Sequence, residues 1–251
     1  MSFSLAILLS CAADSTCVDY PLQDVGPLPY AQLDEASGLA ISANEALIWL
    51  HNDGPDDALY VVDRAANAVA EVSLLGVKVT DAEDLASAQI DGSQYLVLAD
   101  IGDNNAIREE ISLITLEAPA LAAGGEPISS VITPTVAYYR YPNGPQDAEA
   151  LAYDPVDQEF LILTKAANTA TLFSVPNDDD LLVEQHLFQS ISGVTAMAIS
   201  PDGYNVVVAS HDGALIWQRE TDQSVSDLLT TTPCRLPLPT IGMVESVAVT
   251  N

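Results

Sequence analysis

The sequence predicts an all-β fold, a β-propeller of four-stranded blades, on three observations. One segment recurs five times in the 251 residues at the spacing of a propeller blade. Between the repeats lie short runs rich in Val, Ile, Leu and aromatic side chains, separated by turn residues. No run shows a sustained helical period. Together these patterns favour short antiparallel strands in sheets packed face to face.

The repeated segments are EASGLAIS, AEDLASA, AEALAYD, VTAMAIS and MVESVAV, and each contains one apolar anchor. The anchors, spaced by 46, 66, 46 and 50 residues, are Leu39, Leu85, Leu151, Met197 and Val247. In the long second spacing we expect a surface loop over 118–130 and a fourth strand over 135–141. The fifth unit reaches only its first strand. Either 18–33 supplies part of this last blade or the last blade is incomplete.

The excess of acidic side chains limits the classes of molecule that the protein can bind. The chain has 36 acidic and 7 basic side chains, a net charge of −29, and a hydrophobic content of 49%. That content is too high for a disordered acidic tail, so we expect a single domain over 18–251, acting as a monomer. So few cations cannot neutralise a phosphate backbone, which excludes nucleic acid as a partner. The carboxylates either bind cations or keep the protein soluble.

The first 17 residues resemble an export signal followed by a tether. An apolar run over 3–9 is too short to span a bilayer, and it ends in the lipobox-like string Leu8-Leu9-Ser10-Cys11. Lipidation at Cys11 would make the protein an outer- or cytoplasmic-membrane lipoprotein; an ordinary cleaved signal would make it secreted. No basic residue precedes the run, which would fit an incomplete or misplaced start, and a structural N-terminal strand is the third alternative. We expect contact with a membrane only through a lipid anchor at Cys11.

Two further cysteines lie near the two ends of the predicted domain. Cys17 precedes the first folded segment, and Cys234 precedes the last repeat. In an oxidising compartment they could form a disulfide that joins the ends of the domain. Two free or buried thiols are the alternative, because sequence does not fix connectivity.

Acids recur where the first strand begins in four of the five units, and Thr195 replaces the acid in the fourth. Since the first strand of a blade lines the central channel, these carboxylates should meet at one channel mouth. Like charges held together raise one another's pKa unless a cation lies between them, and oxygen ligands favour Ca²⁺. Acids that cap turns are the alternative. With the acids that follow the second strand of the second unit, the predicted metal ligands are Glu35, Glu83, Asp84, Asp100, Asp103, Glu149 and Glu245.

A second group of polar residues lies where second strands end. These residues could bind a ligand, with the two cations receiving an anionic group, or they could form turns and ion pairs. The predicted ligand-binding residues are Asn52, Asp53, Asn104, Arg108 and Lys165. The sequence contains no Gly-x-Ser-x-Gly elbow, no phosphate-binding glycine-rich loop and no His-Glu-x-x-His pair.

Seven segments follow one another along the chain: ASGLAIS, LIWLHND, DAEDLA, ADIGDNN, DAEALAYDP, LILTK and VESVAV. In these segments and their order the sequence resembles an uncharacterised family of secreted bacterial β-propeller proteins, described as WD40-like or esterase-like-phytase-like. The resemblance covers about residues 34 to 250 and implies a propeller outside the cytoplasm. Two positions depart from the family pattern, Ala82 in place of Trp and Val244 in place of Gly. We therefore predict a binding or surface module with a cation-binding channel mouth. The alternative is a Ca²⁺-dependent hydrolase of phosphate esters or lactones using Glu149, Arg108 and Lys165.

Overall fold

The computed structural model describes residues 26–210, 213–237 and 244–250, and these form four antiparallel blades in a ring. Blade 1 contains β1 (Ala36–Ile41), β2 (Leu47–Asn52), β3 (Ala58–Asp63) and β4 (Ala68–Leu74). Blade 2 contains β5 (Ala82–Ile90), β6 (Ser93–Asp100), β7 (Ile111–Glu117) and β9 (Thr135–Tyr139). Blade 3 contains β10 (Ala148–Asp154), β11 (Glu159–Thr164), β12 (Ala170–Ser174) and β13 (Val183–Phe188). Blade 4 contains β14 (Val194–Ile199), β15 (Asn205–Ser210), β16 (Gly213–Gln218) and β17 (Cys234–Pro237).

The ring is held by apolar cores between neighbouring blades. The innermost strands pack in succession, β1 on β5, β5 on β10 and β10 on β14. Buried residues of blades 1 and 2 form one cluster around Trp49 and Leu98, and those of blades 3 and 4 form another around Leu163 and Trp217. The strands are therefore apolar on both faces, which explains the continuous hydrophobic runs in the sequence. The propeller of four-stranded blades is confirmed.

The fifth repeat lies between blades 4 and 1 without forming a strand in the described residues. Val247 is buried against Ala196 and Val207 of blade 4, while Ala248 packs against the core of blade 1. The described part of the segment 18–33 forms no strand either. Tyr30 and Leu33 instead pack on blade 1, and the Tyr30 hydroxyl lies 2.7 Å from the carbonyl oxygen of Val61.

The insertion of blade 2 adds a strand to blade 1. β8 (Ile128–Ile132) pairs in parallel with β4, so part of the expected loop over 118–130 belongs to a strand. The expected fourth strand is confirmed as β9. The described residues contain one helix, α1 (Val225–Leu228), and no helix among them is both long and apolar enough to cross a membrane.

Cys11 and Cys17 lie outside the described residues. Cys234, at the start of β17, is disulfide-bonded. Its predicted pairing with Cys17 stays a prediction.

Candidate functional site

Every innermost strand carries a β-bulge near its start, and the bulges position the repeated acids. The register shifts at Glu83 in β5, at Glu149 in β10 and at Thr195 in β14. In β1 the shift falls between Ala36 and Leu39. A bulge bends the strand and changes the direction of a side chain. The two glutamates therefore occupy equivalent places in successive blades, two residues before the apolar anchor.

Three carboxylates converge at this end of the channel. Oxygen atoms of Asp53, Asp81 and Glu83 all lie within 4.8 Å of one another. Asp53 follows β2 of blade 1, whereas the other two acids flank the start of β5 in blade 2. The two blades are joined here because the Ala82 N–H donates to the Gly54 carbonyl oxygen over 3.2 Å. The cluster thus depends on contact between neighbouring blades.

Gly102 leaves space for these carboxylates. A Cβ at this position would lie 2.1 Å from Glu83 Oε1 and 2.6 Å from Asp81 Oδ2. The Gly102 N–H donates to the Asp81 carbonyl oxygen over 3.1 Å, so the loop after β6 is held against the cluster. Any side chain here would displace the carboxylates. The glycine of the DIGDN string therefore allows the acids to approach one another.

The cluster is electrostatically unfavourable without a counter-ion. Burial, followed by the charges of Asp53, Glu149, Asp81 and Asp147, raises the pKa of Glu83 to about 10. The pKa values of Asp53 and Asp81 are also raised, chiefly by burial. Two unit charges 4.8 Å apart repel by about 3.5 kcal/mol at an effective dielectric constant of ~20. A cation would favour full ionisation, and oxygen atoms of this kind are the ligands of hard cations.

Lys165 is a cationic side chain beside the cluster, and the charge of Arg108 also acts on Asp81. Lys165, which follows β11, forms an ion pair and hydrogen bond with Glu149. Burial lowers the pKa of Lys165, but this bond and the charges of Glu149, Asp147 and Glu83 outweigh burial and raise it. Burial raises the pKa of Glu149 to about 7 despite the lysine. Glu245 belongs to the same mouth, because its charge acts on both Asp53 and Glu149.

Asp100, Asp103 and Arg108 hold the DIGDN loop in shape. The Asp100 carboxylate accepts hydrogen bonds from the Asp81 N–H and the Ser112 hydroxyl, and pairs with Arg108 at 3.0 Å. Arg108 also donates to the Gly102 carbonyl oxygen over 2.6 Å. Asp103 accepts the Arg108 backbone N–H over 2.7 Å. The structure thus gives these three residues structural bonds and leaves them outside the carboxylate cluster.

Asp84 and His51 also make structural contacts. Asp84 is buried in the channel, where its carboxylate accepts the N–H groups of Leu85 and Leu151 over 2.8 Å and of Met197 over 3.4 Å. It therefore links blades 2, 3 and 4. His51 is buried, and its Nε2 accepts the Gly38 N–H over 2.8 Å. Burial lowers the pKa of His51 to about 4, which keeps the imidazole neutral.

The remaining predicted residues lie at the edge of the mouth. Glu35 is exposed and stands four residues before its anchor. The bulge of blade 1 lies between Ala36 and Leu39 and contains no acid. The Asn52 side chain accepts the Glu35 N–H and donates to the Gln32 carbonyl oxygen, each over 3.0 Å. Asn104 is exposed. Asp81 is not among the predicted ligands, although it directly precedes the repeated AEDLASA segment.

Three buried hydroxyl groups, those of Ser130, Tyr141 and Thr195, have no hydrogen-bond partner among the described residues. Thr195 Oγ1 occupies the bulge of blade 4, the position that carries Glu83 and Glu149 in blades 2 and 3. The Tyr141 hydroxyl interacts electrostatically with the charges of Asp147, Arg108 and Asp103. Buried hydroxyl groups are usually satisfied by protein or water.

No family model matches the sequence, and the search of curated proteins found no match. Solved structures give weak similarities. An auxiliary nutrient binding protein from Bacteroides thetaiotaomicron shares 12% identity at a TM-score of 0.48, over 80% of this chain and 41% of that protein. A 6-phosphogluconolactonase-like protein from Bacteroides uniformis shares 12% identity at a TM-score of 0.40, over 84% of this chain and 58% of that protein. At these identities and TM-scores the similarity carries no information about activity.

Proposed function

We propose that the protein is an extracytoplasmic binding module whose acidic channel mouth holds a divalent cation, most simply Ca²⁺. The observation that carries this proposal is the convergence of the Asp53, Asp81 and Glu83 carboxylates within 4.8 Å. The donor set consists of oxygen atoms alone, which suits a hard cation. Gly102 supports the same conclusion, since a larger residue would fill the space beside Glu83 Oε1 and Asp81 Oδ2. The bound cation, with Lys165 nearby, would present positive charge to a ligand at the mouth.

The proposal is tested by adding Ca²⁺ to chelator-treated protein and measuring the melting temperature. A ligand present at 100 times its dissociation constant stabilises the folded state by about 2.7 kcal/mol. For a chain of this size we expect a rise of about 5 to 10 °C. Glu83→Gln should remove most of the shift. Glu126→Gln, which removes one exposed acid from the insertion, should keep it.

No shift at millimolar Ca²⁺ would overturn the cation site. An equal shift in both variants would indicate nonspecific screening of the net charge. Mg²⁺ at the same concentration separates the two hard cations, because Mg²⁺ demands near-octahedral geometry and a shorter ligand distance.

Ca²⁺-dependent hydrolysis of phosphate esters or lactones is the second candidate. It is favoured by the Lys165–Glu149 ion pair, which places a cation and a carboxyl group beside the proposed metal. Arg108 supports it less, because its guanidinium group already binds Asp100 and the Gly102 carbonyl oxygen. Metal-dependent turnover of a phosphomonoester or lactone that is lost in Glu149→Gln would favour the enzyme. Stabilisation by Ca²⁺ without turnover would favour the binding module.

The extracytoplasmic location is part of the proposal. It is supported by the apolar run before Cys11, by the resemblance to secreted propeller proteins and by the disulfide at Cys234. Disulfides persist in oxidising compartments and are rare in the cytosol.

A further inference from the structure

The central channel contains a cavity of about 260 Å³ at the end opposite the acidic mouth. The innermost strands begin at the mouth and end at the cavity, whose rim is formed by the hairpins that follow these strands. The anchors of all five repeats line the cavity: Leu39, Leu85, Leu151, Met197 and Val247. Tyr153 adds an aromatic wall, with its ring 5.0 Å from that of Phe160.

A small residue follows every anchor around the cavity. Alanine occupies this position in all five units, and these residues all line the cavity: Ala40, Ala86, Ala152, Ala198 and Ala248. Protein interiors are otherwise packed nearly as densely as organic crystals. A ring of alanines kept in five repeats therefore leaves a space that larger side chains would close.

The three serine hydroxyl groups in the lining already have partners. Ser87 Oγ accepts a hydrogen bond from Gln94 over 2.7 Å. Ser42 Oγ donates to Asn44 over 2.7 Å and accepts the Leu47 N–H. Ser200 Oγ likewise donates to Asp202 and accepts a backbone N–H. The cavity therefore offers mainly methyl, methylene and aromatic surface to a ligand.

We infer that this cavity binds a small, neutral, apolar molecule. An engineered apolar cavity of about 150 Å³ binds benzene, so by proportion this one holds ~10 non-hydrogen atoms. The net charge of −29 disfavours anionic ligands such as carboxylates. An aromatic or branched aliphatic molecule of this size matches the lining. A fatty acid would bring a carboxylate to a strongly negative protein.

This site is separate from the proposed cation site. Asp84 lies between them, since its carboxylate accepts the N–H groups of Leu151 and Met197, two of the cavity-lining anchors. The inference therefore holds whether or not the mouth binds a cation. All binding measurements described below use chelator-treated protein, so the failure of one proposal does not affect the other.

The test is calorimetric titration with propylbenzene and with benzoate, which have the same number of non-hydrogen atoms. We expect one saturable site for propylbenzene and an affinity for benzoate at least ~10-fold lower. Ala198→Leu should reduce propylbenzene affinity at least ~10-fold, because Ala198 lines the cavity and is half-buried. The matched control is Ala137→Leu, a half-buried alanine in the outermost strand of blade 2, which should bind like the parent protein.

Ala248→Leu, in the neighbouring fifth repeat, gives an independent variant if Ala198→Leu melts far below the parent protein. The absence of saturable propylbenzene binding would overturn the inference, as would unchanged affinity in a folded cavity-filling variant. Equal affinity for benzoate would overturn the assignment of a neutral ligand.

Discussion

The ion pair of Arg219 should be a major contributor to stability. This arginine follows β16 in blade 4, and its side chain is 3% exposed. Its Nη1 donates to both carboxylate oxygens of Asp154, over 2.7 and 2.8 Å, and Nη2 donates to Asp157 over 2.8 Å. Asp154 ends β10 in blade 3 and is fully buried, so the pair joins two blades.

Arg219→Met would keep the apolar stem but leave the Asp154 charge buried. Among the described residues, the Val156 N–H would still donate a hydrogen bond to the Asp154 carboxylate. Breaking a buried pair in this way costs about 3 to 5 kcal/mol. With a urea dependence of roughly 2 to 3 kcal/mol per molar, the unfolding midpoint should fall by about 1 to 2 M. Equilibrium urea unfolding followed by circular dichroism measures this change.

A double-mutant cycle separates the pair from the rest of the fold. Asp154→Leu removes the buried carboxylate, and the double variant should recover part of the loss, because removing both charges leaves neither uncompensated. The matched control is Arg140→Met, whose partner Asp180 and own side chain are about half exposed. Its midpoint should change far less. A small change in Arg219→Met, or strictly additive losses in the double variant, would refute the reasoning.

Four further predictions concern the mouth and the cysteines. Because the pKa of Glu83 is raised to about 10, Ca²⁺ binding at pH 8 should release about one proton, and the affinity for Ca²⁺ should increase as pH rises towards 10. Calorimetry in buffers of different ionisation enthalpy measures the released proton. A Ca²⁺ affinity that does not change with pH would contradict the prediction. Without cation, the same raised pKa lowers stability as pH increases from about 4.5 to 10, since the unfolded chain then binds fewer protons. Cys11→Ser should abolish partition into detergent, and the denatured, unreduced protein should show no free thiol from Cys17 or Cys234; two reactive thiols would contradict the disulfide.

The blade architecture could be predicted from sequence because each strand obeys a local rule. The innermost strands repeat one pattern, and the second and third strands are continuous apolar runs buried on both faces, such as β2 and β6. β8 could not be predicted in the same way. Its pairing with β4 joins two blades across a long insertion, and its alternating exposure is compatible with a surface loop.

The candidate site was predictable at the positions set by the repeat. Glu83 and Glu149 stand two residues before their anchors, and the bulge brings both to the mouth. Glu35 was predicted as an equivalent acid of the first repeat, but it stands four residues before Leu39, not two, and is exposed. Asp81 escaped prediction because its place depends on the Gly102 loop folding back upon it, a contact made across 21 residues.

Asp84 explains why acids so close in sequence have different roles. It directly follows Glu83, but Glu83 is the bulged residue and Asp84 resumes the regular pairing with β6. The two side chains therefore lie in different environments. Glu83 lies among the carboxylates of the mouth, whereas Asp84 accepts N–H groups from three blades. Burial raises the pKa of Asp84 to about 7, while those hydrogen bonds lower it. Asp84 therefore lies between the acidic mouth and the apolar cavity, where it joins three blades through their backbone N–H groups.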